Sequence, residues 1–147
     1  MFRLTTLPFV AALAGYAVAQ TYSSCDPRTN TSCPNDPALG TTYNETFTSS
    51  TTSLNPHLWN ITAGAESIQF TDNGAEMTIS KSGDSVTVES AFYIFWGRVE
   101  IIMQAAAGTG IISTFDLLSD DLDEIDLEIM GGNTSFVESN WYGKYNG

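Results

Sequence analysis

The chain has 147 residues, of which 42% are hydrophobic and 12% aromatic, so it is too apolar for a disordered tail and long enough for about one domain. Its 17 acidic residues against 5 basic ones give a formal net charge of −12. That balance excludes the basic patch a nucleic-acid partner needs and leaves neutral polar ligands and cations open.

The chain opens Met1-Phe2-Arg3, continues through an apolar run over residues 7–14, and reaches Ala17-Val18-Ala19. A short basic start, an apolar run too short to cross a bilayer and an A-x-A ending predict a signal peptide over residues 1–19. A buried N-terminal helix is the competing reading. No second apolar run of ~20 residues follows, so the protein is expected to be secreted. Export permits Cys25 and Cys33, eight positions apart, to pair across a loop containing Pro27. A zinc site would need more ligands than these two and the lone His57 supply, so a structural disulfide and no metal are expected. Asn30, Asn44, Asn60 and Asn133 each begin an Asn-x-Ser/Thr sequon, and four sequons behind a leader predict a glycoprotein.

Residues 20–53 are rich in Thr, Ser, Asn and Pro, which predicts an irregular, disulfide-pinned lead-in. From residue 54 onward short β-like runs alternate with turn residues. Ile68-Gln69-Phe70 leads to Asp72-Asn73-Gly74, residues 75–79 alternate up to Ser82-Gly83-Asp84, and Val86-Thr87-Val88 precedes an aromatic run at 92–96. Another apolar run at 99–103 comes next, and Gly108-Thr109-Gly110 breaks the chain before residues 111–118. Strands at this spacing with little helical periodicity predict an all-β sandwich or barrel. Trp59 and the Phe92, Tyr93 and Phe95 cluster are assigned to packing.

The most informative stretch is Glu124-Ile125-Asp126-Leu127-Glu128-Ile129, where acid and apolar residues alternate strictly. On a strand this puts three carboxylates on one face and three aliphatic side chains on the other. Carboxylates crowded together force their pKa values apart, which acid–base chemistry requires. Two other readings stand beside this one. Leu118, Leu122, Ile125 and Ile129 fit a helical stripe with Gly131 as its cap. Calcium is the other, although an EF-hand loop starting at Asp121 or Asp123 would have Asp126 or Glu128 where glycine is required. The acid–base reading suits glycosidic cleavage, which generally employs two carboxyl groups. The Cα atoms of Glu124 and Glu128 would lie roughly 13 Å apart. Two long side chains can narrow that gap toward the ~5–5.5 Å of retaining geometry. Asp126, between them, is suited to keep one carboxylate ionised while the other stays protonated.

Asp123-Glu124-Ile125-Asp126-Leu127-Glu128, with Gly131-Gly132-Asn133 behind it, resembles the E-x-D-x-E signature of glycoside hydrolase family 16. Residues 108–115 and Trp96-Gly97-Arg98-Val99-Glu100 look like that family's neighbouring strands. The Cys25/Cys33 loop and Glu138-Ser139-Asn140-Trp141-Tyr142-Gly143-Lys144 look like the fungal Crh-type cell-wall transglycosylases within it. The resemblance covers roughly residues 22–147 and implies a concanavalin-like β-jelly-roll sandwich with an open cleft. Residue by residue, it implies Glu124 as nucleophile, Glu128 as acid and then base, and Asp126 as the residue that orients and tunes the nucleophile. It also implies retaining transfer of chitin to β-glucan or chitin acceptors, at the cell wall or cell surface, with no cofactor. Trp141, Phe115 and Trp96 are the expected sugar platforms, with Glu138 and Asn140 as hydrogen-bond partners.

The family's jelly roll needs more residues than this chain supplies, so residues 54–147 are expected to form only the N-terminal part of the catalytic domain. Later strands would lie in a missing C-terminal region, and membrane contact is expected only through a lipid anchor there. Half a sandwich would leave strand edges and an apolar face open. A plain β-glucanase or chitinase, or a non-catalytic polysaccharide-binding wall protein, are the alternative functions.

Overall fold

A computed structural model describes residues 25–143 of the chain. The signal peptide expected over residues 1–19, and Lys144 of the Crh-like stretch, lie outside the described residues. The described residues form strands β1 (Trp59–Ala63), β2 (Ile68–Thr71), β3 (Gly74–Met77), β4 (Thr87–Ser90), β5 (Ile112–Leu118), β6 (Glu124–Met130) and β7 (Glu138–Tyr142). One 3-10 turn lies at Ala65–Ser67, and there is no α-helix among the described residues. All strand pairings are antiparallel. Two compact units result: Pro34–Ile102, and the described residues on either side of it.

In the first unit β1 pairs with β4 and β2 with β3. The β2–β3 hairpin closes at Thr71 opposite Gly74, leaving Asp72-Asn73 as a two-residue loop, as their turn chemistry favours. Residues 34–53 contain no strand but are fastened to the strands and loops of the same unit. The Tyr93 amide donates to the Pro37 carbonyl at 2.8 Å, and the Leu39 amide to the Tyr93 carbonyl at 3.2 Å. The Tyr43 ring meets Trp59 and Phe92 at centroid distances of 6.3 and 6.0 Å, and Trp59 Nε1 donates to the Tyr43 hydroxyl at 3.1 Å. Trp59 and Phe92 thus pack as expected. Phe95 does not: it is 93% exposed and lies edge-on to Trp96. The run at 99–103 also departs from expectation: none of the described strands pairs with it, and Ile102 is 94% exposed.

The second unit holds the three-stranded sheet β5-β6-β7 with β6 at its centre. Residues 119–123 connect β5 to β6. The Leu122 amide donates to the Ser119 carbonyl, the Ser119 amide to the Asp123 carbonyl, both at 2.9 Å, and Leu122 sits at φ 65°. This is the three-residue hairpin loop in which one residue must adopt the left-handed conformation. The Cys25–Cys33 disulfide forms as expected, with Cα atoms 5.6 Å apart. All four sequon asparagines are exposed.

The far end of β6 is locked by Gly131. Its amide donates to the Ile111 carbonyl at 2.7 Å, and its carbonyl accepts from the Gly108 amide at 3.0 Å. A Cβ at this position would stand 2.4 Å from the Gly108 carbonyl oxygen and 2.7 Å from that of Ala106. Backbone oxygens cannot swing aside as side chains do. Gly131→Ala should therefore cost about 1–3 kcal/mol, read as a lowered thermal unfolding midpoint. An unchanged midpoint would mean that the 106–111 loop yields freely.

Candidate active site

β6 alternates as a strand, so the helical reading of residues 118–129 gives way to the sheet. Direct cross-strand partners share a face of an antiparallel sheet, so the register sorts every side chain. On β5, Leu118 stands opposite Glu124, Asp116 opposite Asp126 and Thr114 opposite Glu128. On β7, Tyr142 stands opposite Glu124, Asn140 opposite Asp126 and Glu138 opposite Glu128. The other face carries Ile125 and Leu127 with Leu117 and Phe115 on β5, and Trp141 and Ser139 on β7. Along β6 the acidic side is the more shielded: Asp126 is only 8% exposed, while Ile125 is 54% exposed.

Electrostatics on the acidic face are one-signed. Residues 99–143 contain nine Asp and Glu and no Lys, Arg or His. Asp126 accepts a hydrogen bond from Asn140 Nδ2 at 3.4 Å, and the Thr114 hydroxyl donates to the Asp116 carboxylate. Glu128 carries the consequence. Burial pushes its carboxyl above the ordinary value, and the neighbouring charges of Glu138, Asp126, Asp116 and Glu124 push it further the same way.

Three of the expected carboxylates, Glu124, Asp126 and Glu128, therefore share one face, and Glu138 and Asn140 join them there. Phe115 and Trp141 lie on the opposite face, and Trp96, 81% exposed, belongs to the other unit. Tyr142 and Asp116 occupy the acidic face although the sequence motif does not mark them. Counting by twos from Asn140 reaches Tyr142, a signal that the neighbouring tryptophan, the larger aromatic, obscures. No group of three His, Cys, Asp or Glu side chains converges tightly enough to hold a metal ion among the described residues.

Residues 55–147 match the description of glycosyl hydrolases family 16. The chain belongs to that family. This family 16 chain is 50% identical over 143 residues to Crh-like protein 2 of Botryotinia fuckeliana (strain B05.10), covering 97% of itself and 31% of that relative. Among solved structures it is similar to Crh5 transglycosylase in complex with NAG, at 41% identity and a TM-score of 0.71, over 83% of this chain and 48% of that one. It is also similar to apo Crh5 transglycosylase, at 42% identity and a TM-score of 0.68, over 76% of this chain and 45% of that one. The chain thus spans about a third of that relative and just under half of the solved chains. Its fold is the all-β jelly roll expected from the sequence.

The raised Glu128 carboxyl has a consequence for stability. A group whose folded pKa lies above its unfolded value binds its proton more tightly in the native state, so stability falls as pH rises through that window. Below the ordinary value of 4.5 the carboxyl is neutral in both states. Glu128→Gln should unfold at a higher temperature than the parent at about pH 7 and match it in mild acid. A variant less stable than the parent at neutral pH would contradict this.

Proposed function

We propose that this chain carries the catalytic strand of a retaining transglycosylase that acts on cell-wall polysaccharide, cleaving chitin and passing it to β-glucan or chitin. The observation that carries the reading is the shared face of Glu124, Asp126 and Glu128 on β6, where burial and the neighbouring acids push the Glu128 carboxyl above its ordinary value. Membership of glycosyl hydrolases family 16 and likeness to Crh-like protein 2 and to Crh5 transglycosylase support the reaction class. The NAG bound to that solved neighbour supports chitin as donor, because chitin is a polymer of this sugar.

In this reading the Glu124 carboxylate attacks the anomeric carbon of the donor. The glycosidic bond breaks with its electron pair passing to the leaving oxygen, which takes the Glu128 proton, and a glycosyl–Glu124 ester forms. The ionised Glu128 then removes a proton from the acceptor hydroxyl. That oxygen bonds to the anomeric carbon and releases Glu124, so two inversions give net retention. Asp126 lies between the two and tunes Glu124, while the Asn140 amide fixes the orientation of Asp126. Tyr142, beside Glu124 on the same face and 58% exposed, offers a ring and a hydroxyl to the sugar. The sugar platforms expected at Phe115 and Trp141 are not part of this reading, because both lie across the sheet from the carboxylates. A cell-wall substrate implies that the protein works outside the cell, in accord with the leader and sequons of its sequence.

Incubating the complete protein with a chito-oligosaccharide donor and a fluorescent β-glucan oligomer tests the reading. Mass spectrometry should find a chitin–glucan hybrid, and Glu124→Gln should reduce its rate at least about a thousandfold. Shortened chito-oligosaccharides without a hybrid would indicate a plain glycosidase. Neither product from a folded protein would leave polysaccharide binding as the function.

A further inference from the structure

The β6–β7 ladder sets Glu138 directly across from Glu128. Side chains so paired have Cβ atoms about 4.5–5.5 Å apart, and like charges in that position repel. Among the described residues of the sheet, no basic side chain stands beside the pair. On β5 the residue opposite Glu128 is neutral Thr114, with Asp116 on the diagonal. On β7 the diagonal residue is neutral Asn140, and along β6 itself Asp126 and then Glu124 follow on the same face. The titratable side chains that the register places on this face of the sheet are carboxyls and the Tyr142 phenol. The repulsion also falls unevenly on the two partners. Glu138 is exposed and keeps its hydration when ionised, whereas Glu128 is half-buried and loses part of it. The Glu128 carboxyl is accordingly displaced upward.

We propose that Glu138 is a positioning residue for the acid step, its ionised carboxylate holding the catalytic proton on Glu128 until the leaving oxygen takes it. The proposal rests on the reading of Glu128 as the acid. The same repulsion serves the second half of the reaction. Once Glu128 has given up its proton it faces an ionised Glu138, and taking a proton from the acceptor hydroxyl relieves that contact. The direction in which Glu128 is displaced, with burial first and Glu138 the largest of the charges acting on it, agrees with this role. Glu138 was expected to hydrogen-bond the sugar. A hydrogen bond to substrate would matter at every pH, whereas a charge acting on Glu128 matters only where Glu128 titrates.

Glu138→Gln in the complete protein separates the two roles, since it keeps the shape and removes the charge. Two readouts are needed: the titration midpoint of Glu128 followed by carboxyl carbon NMR, and the pH profile of kcat/KM for transfer from a chito-oligosaccharide donor. The midpoint should fall by about half a pH unit or more, and the alkaline limb of the profile should move to lower pH by the same amount. Glu138→Asp, which restores the charge, should return both most of the way. A loss of rate that is equal at all pH, with the limb in place, overturns the proposal in favour of a sugar contact. An active parent whose Glu128 midpoint ignores Glu138→Gln overturns it alone. A folded parent without transfer activity overturns the functional reading, and the acid-step role with it.

Discussion

Antiparallel pairing on both edges of β6 converts a local alternation of acid and aliphatic residues into two chemically opposite surfaces. The period of two assigns each side chain to a face, and the ladders to β5 and β7 continue each face across the sheet. A slip of one residue would exchange the faces entirely, so whatever fixes the register fixes the chemistry. At one end the register is held by the 119–123 loop, where Leu122 accepts the left-handed conformation that such a loop imposes. At the other end Gly131 bonds to Ile111 and Gly108 where no larger residue fits. Both anchors lie within two residues of β6, close to the carboxylates they align.

Gathering carboxylates on one face opposes folding, and the sheet tolerates it in a specific way. Asp126, the most buried of them, accepts a hydrogen bond from Asn140, while Asp116 and Glu138 stay exposed to water. Glu128 responds with a carboxyl raised above its ordinary value, burial and four neighbouring acids acting in one direction. A basic residue anywhere on this face would relieve the repulsion and drain the proton away, and residues 99–143 contain none. On the proposed mechanism, the feature that weakens the fold at neutral pH is the one that supplies the acid.

Much of this was legible in the sequence. Uninterrupted alternation from Glu124 to Ile129 identified β6 and its two faces, and Gly108-Thr109-Gly110 marked the approach to β5. What the pattern could not convey was the parity of one strand against the next. Phe115 and Trp141 were expected to line the cleft because sugar faces stack on rings and both look like family substrate contacts, but each pairs with an aliphatic residue of β6: Leu127 and Ile125. Tyr142 and Asp116 hold the positions on the acidic face instead. The apolar run at 99–103 failed for a related reason. Periodicity reports what a segment could present to a neighbour, not whether the neighbour is there, and none of the described strands pairs with it.

Family membership brings a fold, while the reaction and the roles of individual residues are what the proposal assigns. The central claim is that Glu124 forms a bond to the sugar. Its most direct test uses a chito-oligosaccharide donor with a good leaving group and an electronegative substituent beside the anomeric carbon, so that the glycosyl-enzyme accumulates. Proteolysis and mass spectrometry of the trapped complete protein should locate the sugar on Glu124. A sugar attached to Asp126 or Glu128, or turnover to a product of inverted anomeric configuration with no adduct formed, would contradict the assignment.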